Sequence, residues 1–520
     1  MGILLTMSRR RWWWLPCAVA SLLGLTIQLG VTIDSQQRWA RIVILHTNDT
    51  HGHLLPFSYP EGIDPNSQEA QLPYKHNIGG AAQRATLLHQ LRQQFRGETL
   101  VVDCGDFMDG TPFSLHYFGE ADVAAMNACG YDYATLGNHE FSNNLPQVQK
   151  LIQMARFPYV CANARLRTSG APLCPPYQVV ERNGLRLALF GLIVRDTQNY
   201  RGAREGVEIL DPLEVAQQLV PQLRQQADVV ILLSHLGIET DIELARRVPG
   251  IDVIVGGHSH TRLAQPRFVE WNRPLAKSVM GLNGTIIVQA HQWGGELGQL
   301  EIIAYRDRET NRWELVAYKG KLIPITRQIP EDPSVARVVN RYWKPIAKQY
   351  GRIVGIATDD FVQRGDDLAE YNLVSDAIRA VMGSDFDIQN LYGVRIQLAK
   401  GPISYYDLAR MLPFGNTVVR FEITGTQLKQ LLERQRPTCS ANLRYRVENG
   451  RLVEATLNGE PIRDDALYRG TTNSYFADRY LKPMNIPFAD TGRKRLDVVA
   501  EYIRQQKQIT PVFDGRRIVR

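Results

Sequence analysis

Five short clusters hold most of the residues in this chain that could bind a cation or move a proton: Asp49-Thr50-His51, Gly105-Asp106, Gly137-Asn138-His139-Glu140, Ser234-His235 and Gly257-His258-Ser259-His260. Imidazole nitrogens, carboxylate oxygens and an amide oxygen are the donors that a pair of divalent ions needs, with one carboxylate able to bridge and terminal ligands on each side. Taken singly the clusters say little, because a histidine after a strand is more often a hydrogen-bonding residue in a turn. In this order, each behind a short apolar run, they are hard to explain as packing. Gly105, Gly137, Gly256 and Gly257 would let the backbone turn tightly beside the ions.

The elements that must position these groups alternate β-branched runs with helical stretches. RIVILH is followed by AAQRATLLHQLRQQF, TLVVDC, ADVAAMNACG and YATLG, and the pattern continues through RLALFGL, a helix after Pro212, ADVVILLSH, ELARRV and DVIVGG. This alternation predicts an α/β domain whose polar clusters follow strands, where such sheets collect ligands. GGAAQR reads as a helix start with close packing, so no glycine-rich phosphate loop is expected. Prolines between Pro324 and Pro333 break regular structure before the helical run VARVVNRYWKPIAKQY. A second domain is predicted from about Gly351, with the strand VVRFEITG, the helix TQLKQLLERQ and a hairpin around Glu448-Asn449-Gly450.

The motifs ILHTNDTHGH, NIGGAAQRATLL, VVDCGDFMDGTP, TLGNHEF, LLSHLG and GGHSHT together resemble the calcineurin-like metallophosphoesterases. Within that family the chain is similar to the two-domain 5′-nucleotidases and their UDP-sugar hydrolase and 2′,3′-cyclic phosphodiesterase relatives, through GVRIQLAKGPISYYDLARMLPFGNTVVRFEITGTQL in the second half. The resemblance implies a layered α/β/β/α metallophosphoesterase domain over 39–328, a linker helix over 329–350 and a smaller α/β substrate-binding domain over 351–516. It places Asp49, His51 and His260 on one metal, Asn138, His235 and His258 on the other, and Asp106 as the bridge. Two divalent ions such as Mn, Zn or Co would activate water for attack on phosphorus, with His139 protonating the leaving oxygen.

Two departures bear on activity. The family usually reads GNHEFD, where the Asp supports the imidazole; here Ser142 stands in its place. A hydroxyl brings no negative charge, which implies slower turnover and a more acid optimum unless another carboxylate reaches His139. In the second domain, Asn390, Arg395 and Arg364 match substrate-gripping positions, and Phe414 matches one wall of an aromatic sandwich for the base. The other wall falls on Ser474, leaving Tyr475 or Phe476 to swing in and Asp478 to stand for a family Asp. Three readings follow: hydrolysis of nucleotide phosphate esters; the same chemistry on a cyclic nucleotide, sugar nucleotide or non-nucleotide phosphate; or a metal-bearing protein that binds such a ligand and barely turns it over.

Composition bounds the rest. At 520 residues, with 44% hydrophobic and 22% charged residues, the chain is too long for one core and too ordinary for a disordered or multi-span protein. Arg9, Arg10 and Arg11 precede a run from Trp12 to Ile33 without any charge, so residues 1–38 read as a signal peptide or an uncleaved N-terminal anchor. The protein is thus expected to be exported, periplasmic or extracellular, with membrane anchoring left open. The net charge of +7 owes part of its excess to this leader and no Lys/Arg block follows it, which argues against a nucleic-acid polymer as partner. Of six cysteines, Cys161 and Cys174 lie in a loop-rich stretch and are expected to form an exposed bridge.

Overall fold

The run WARIVILHT forms the strand Trp39–Thr47, whose residues from Ile42 onward are all buried; a strand covered on both faces needs no polar side. The structure is a computed structural model that describes residues 38–60, 67–272 and 281–520. The leader expected over residues 1–38 falls outside these except for Arg38. Among the described residues no helix is long and apolar enough to cross a membrane.

Trp39–Thr47 is the middle of a five-stranded sheet ordered Trp313–Pro324, Glu296–Arg306, Trp39–Thr47, Thr99–Asp103, Tyr133–Ala134. The last three strands run parallel, so the loops that follow them leave from one edge. A six-stranded sheet ordered Arg267–Glu270, Gly284–Val288, Val253–Val255, Val229–His235, Leu185–Ile193, Tyr177–Arg182 has its four inner strands parallel. Ile42, Ile44, Leu100 and Val102 of the first sheet share a core with Leu187, Leu189, Ile231 and Val253 of the second. Val43, Leu45 and Val101 point the other way, toward helices Ala81–Gln94 and Glu120–Cys129. Phe190, Leu232 and Ile254 face helices Pro212–Gln226 and Ile238–Arg247. This is the expected α/β/β/α layering, produced by side-chain alternation along strands buried on both faces.

Helix Pro333–Tyr350 joins the halves of the chain. Asp332 caps it by accepting from Ser334 N and Val335 N at 2.9 and 3.0 Å, with Pro333 in the first turn where its missing N–H costs nothing. Val335 and Val339 pack in the first core, Ile346 and Tyr350 in the second, so one helix belongs to both. The second domain has a five-stranded sheet ordered Thr438–Cys439, Phe386–Gln389, Leu467–Asn473, Thr417–Thr424, Phe488–Lys494, flanked by helices that include Ala369–Met382 and Arg495–Gln506. The expected hairpin joins Leu443–Glu448 to Arg451–Leu457, with Asn449 and Gly450 both left-handed (φ 49° and 79°) as a two-residue turn demands. Arg517–Val519 pairs in parallel with Leu443–Glu448, so the domain continues past residue 516.

The expected bridge between Cys161 and Cys174 is not formed. Both are buried free thiols, and Cys161 Sγ donates to Asn163 Oδ1 at 3.6 Å; the loop that carries them folds inward against the first core instead of lying open to oxidant.

Candidate active site

Every cluster singled out above lies at the carboxyl end of a parallel strand: Asp49 and His51 after Trp39–Thr47, Asp106 after Thr99–Asp103, Asn138 and His139 after Tyr133–Ala134, His235 at the end of Val229–His235, His258 and His260 after Val253–Val255. The two sheets pack face to face, so these ends meet. Donor atoms converge in three overlapping groups, Asp49/His51/His260, His51/Asp106/His139 and Asp106/His235/His258, each closing to within 4.8 Å. Five of these residues are left-handed: Asp49 (φ 50°), His51 (46°), Asp106 (55°), His258 (72°) and His260 (53°). Each costs on the order of 1–3 kcal/mol, so they persist only where surrounding contacts over-determine them. Gly105 turns as expected (φ 82°), whereas Gly137 and Gly257 do different work. A Cβ on Gly137 would overlap the Asp106 carboxylate, and one on Gly257 would lie 2.8 Å from the Cys104 carbonyl oxygen.

Glu140 secures two of the loops. Its carboxylate accepts from Asp106 N, Phe107 N and Gly137 N at 3.0, 2.9 and 2.5 Å, clamping the Asp106 and Asn138 loops together. Burial first, then the charge of Asp106, pushes its pKa well up. Asp49 accepts from His258 N through both oxygens, at 3.1 and 2.9 Å, and from Asn48 Nδ2 at 2.7 Å.

The donor set is arranged for cations. Asp106 Oδ1 accepts from His139 N at 2.8 Å, while Oδ2 lies 3.1 Å from His235 Nε2, 3.9 Å from His51 Nε2 and 4.0 Å from His139 Nε2. His235 donates Nδ1–H to the Cys104 carbonyl at 2.6 Å and His51 donates Nδ1–H to the Met108 carbonyl at 2.9 Å, which leaves a lone pair on each Nε2. The His235 lone pair faces another electron pair, on Asp106 Oδ2, whereas that of His51 lies 3.1 Å from His260 Nε2 and 3.4 Å from Arg395 Nη2, either of which can donate to it. Asn138 Oδ1 and His235 Nε2 are buried without a hydrogen-bond partner. Buried electron pairs in opposition are costly unless a positive charge lies between them, and nitrogen and oxygen donors of this kind fit divalent ions. A proton is the other way to relieve the pair. Burial lowers the His235 pKa, but the charge and hydrogen bond of Asp106, the charge of Asp49 and the bond to Cys104 together outweigh it and raise it to about 10. His258 is held down to about 4 by burial and by His235, and His51 well below its usual value by burial and by Arg395.

His139 is boxed on three sides. Its Nδ1 lies 3.2 Å from Asp109 Oδ2, Tyr200 meets its ring edge-on at 5.7 Å, and Phe414 lies nearly parallel to it at 6.0 Å and 17°. This corrects the expectation for Ser142. The residue stands at the far end of the short helical turn His139–Ser142, and the carboxylate that supports the imidazole is Asp109, four residues before Phe113 in the loop after Thr99–Asp103. With a carboxylate on Nδ1, the ground for an acid-shifted optimum falls away.

The second domain closes over this cluster. Arg395 Nη2 lies 3.4 Å from His51 Nε2, and its guanidinium 5.9 Å from the Phe414 ring centroid. Arg410, which spacing gave no reason to single out, is buried in a cage of Phe57, Trp293 and Tyr406 with Nε 3.3 Å from His53 Nε2. Phe476, Arg364 and Asn390, expected to touch substrate, are engaged elsewhere. Phe476 is fully buried and packs edge-to-face on Tyr480 at 4.8 Å, so it cannot swing into a sandwich. Arg364 stacks on Phe513 at 4.1 Å, on an exposed two-residue hairpin. Asn390 is spent on its own turn, accepting from Asn473 Nδ2 and donating to the Leu391 carbonyl, both at 2.9 Å. Ser474 Oγ accepts from Thr417 N at 3.2 Å, Tyr475 is 49% exposed and Asp478 is exposed.

Residues 42–262 match the family model described as calcineurin-like phosphoesterase, and residues 353–482 the one described as 5′-nucleotidase, C-terminal domain. A 5′-nucleotidase of Vibrio cholerae is 28% identical, the alignment covering 94% of this chain and 95% of that protein. The crystal structure of a 5′-nucleotidase precursor from Thermus thermophilus superposes with a TM-score of 0.80 at 29% identity, over 92% of this chain and 99% of that one. A sulfate thiohydrolase SoxB of the same organism shares the fold, with a TM-score of 0.77 at 19% identity over 94% and 98% of the two chains.

Proposed function

Because the chain belongs to the calcineurin-like phosphoesterases, with a 5′-nucleotidase C-terminal domain appended, we propose that it is an exported two-metal phosphohydrolase that cleaves phosphate esters of nucleotides. Asp49, His51 and His260 would hold one ion and Asn138, His235 and His258 the other, with Asp106 shared between them; Mn, Zn or Co would suit this set. Ions so held would supply Lewis-acid charge to the phosphoryl oxygens and lower the pKa of a water. The observation that carries the reading is Asp106 Oδ2 among three imidazole nitrogens at 3.1 to 4.0 Å, a buried carboxylate shared by both halves of the cluster.

The chain's own residues do the rest. His139, held through Nδ1 by Asp109, presents Nε2 to the cluster and passes its proton to the departing alkoxide, work worth about 10²- to 10⁴-fold. Arg395 pairs with the substrate's negative charge beside His51, and Phe414 offers its free edge and outer face to a base. Residues 39–328 carry the chemistry, 329–350 link, and the segment from 351 grips the substrate. The leader of residues 1–38 directs export to the periplasm or beyond, whether cleaved or kept as an anchor.

A second reading, the same chemistry on a sugar nucleotide, a 2′,3′-cyclic nucleotide or a non-nucleotide phosphate, is favoured by the burial of Phe476 and by Ser474 at the second wall. Hydrolysis of AMP, UDP-glucose, 2′,3′-cyclic AMP and p-nitrophenyl phosphate by the protein reconstituted with Mn²⁺ or Zn²⁺, beside His139→Ala, tests both. Catalytic turnover that collapses in the variant is expected, and the ranking of substrates chooses between the readings. Saturable metal binding with at most stoichiometric release would make this a binding protein.

A further inference from the structure

Tyr200 has no place in the roles above, yet it touches two of the residues that fill them. Its hydroxyl accepts from Asn138 Nδ2 at 2.8 Å and its ring meets His139 edge-on. The contact is not loose. Tyr200 ends the short helix Arg195–Asn199, its N–H bonded to the carbonyl of buried Thr197 at 2.9 Å, and it caps the turn Arg201–Arg204. That turn is pressed onto the Asn138 loop: a Cβ on Gly202 would stand 2.8 Å from the Asn143 carbonyl oxygen and 3.3 Å from that of Phe141.

An asparagine amide can face a site with either end. Toward a cation the oxygen attracts and the NH₂ repels, and the two orientations occupy the same volume. A phenol can accept from the NH₂ or donate to the oxygen, so what distinguishes the two is the pairing observed, in which the NH₂ faces the Tyr200 oxygen. The Tyr200 hydroxyl takes the NH₂, and Asn138 Oδ1 is then buried with no hydrogen-bond partner. An aspartate at 138 would need no such support, because both its ends are oxygens.

We propose that Tyr200 is a positioning residue, whose hydroxyl accepts from the Asn138 NH₂ and so supports the orientation that leaves the amide oxygen free for the metal cluster. The inference rests on the two-metal reading. Groups that orient a ligand in this way are typically worth 10- to 100-fold in metal affinity. The probe is Mn²⁺ alone, titrated calorimetrically into the metal-free full chain. Tyr200→Phe keeps the ring against His139 and removes only the hydroxyl, so it is expected to weaken one of the two Mn²⁺ sites about tenfold and leave the unfolding temperature of the metal-free protein unchanged. Adding Asn138→Asp to Tyr200→Phe is expected to restore that affinity. The proposal is overturned if Tyr200→Phe binds Mn²⁺ as the unaltered protein does, if the metal-free variant unfolds at lower temperature, or if Asn138→Asp fails to restore binding. Should the unaltered protein itself bind no Mn²⁺, it is the two-metal reading that fails, and this one with it.

Discussion

The two faces of the cleft are built in different ways. On the first domain's side the donors are delivered by five strands, each parallel to its neighbours on the site's side, so a residue up to five positions past a strand end has little choice of where to be. On the second domain's side the residues come from turns between different sheets and helices. There Arg395 and Phe414 reach the cluster, Arg364 lies against Phe513, and Phe476 is in the core. A parallel sheet edge converts position in sequence into position in space, whereas a face made of turns depends on how each turn happens to pack. The two sides are held together by Arg410, whose guanidinium lies 5.5 to 6.0 Å from three aromatic ring centroids. Such contacts are worth about 0.5–2 kcal/mol each, enough to bias closure without locking it.

If the first face is the rigid, chemical one, its loss should be the most damaging. Asp106→Asn removes the only charge shared by both halves of the cluster and is expected to cut turnover by about 10³-fold while lowering bound Mn²⁺ below two per chain. Turnover within tenfold of the unaltered enzyme, with two ions still bound, would put the two faces on an equal footing. Buried acids of the second domain should matter for folding instead. Glu370 is 6% exposed, one carboxylate oxygen lacks a partner, and burial raises its pKa from 4.5 to about 7. The unfolded chain therefore ionises first, and stability should fall as pH rises from about 4.5 to 7, by up to about 3 kcal/mol. Urea unfolding of Glu370→Gln across that window should lack the fall; an unchanged pH profile would show that Glu370 does not titrate in the fold.

The support behind His139 separates loop placement from residue identity. Asp109→Asn is expected to lower kcat by about 10²-fold with little change in KM, and Ser142→Asp to recover most of it in that background while changing nothing alone. Rate changes from Ser142→Asp by itself would return the supporting role to position 142. The smallest effect belongs to the second face. Phe414→Ala should raise KM for AMP about tenfold, the upper end of what a stacked aromatic contributes, and leave KM for glycerol phosphate nearly untouched. Equal losses on both substrates would mean that Phe414 serves only to pack against His139.

Much of this was legible before any coordinates. The α/β alternation, the layers, the bridging helix and the hairpin at Asn449-Gly450 follow from side-chain periodicity and turn chemistry, which are local. The five clusters and their convergence follow from strand ends. Asp109 was in plain view within VVDCGDFMDGTP, but spacing alone does not say which of two loops delivers a carboxylate to His139. Tyr200 and Arg410 carried no signal, since a tyrosine or arginine in a helix or turn is most often surface or packing. Phe476 misled because it lies two positions from Ser474, where the family's aromatic falls, and only its burial against Tyr480 shows that it is not available.

What the amino-acid order determined by itself was the fold class and the chemical inventory: two domains and a set of strand-end carboxylates, imidazoles and an amide, because hydrophobic period and residue type are properties of short segments. What the tertiary structure alone decided was partnership. Which carboxylate backs His139, which hydroxyl meets the Asn138 amide, which cage holds Arg410 and which aromatic stacks on His139 are contacts between residues 30 to 357 positions apart. Such contacts are set by the registration of packed layers, which no local pattern encodes.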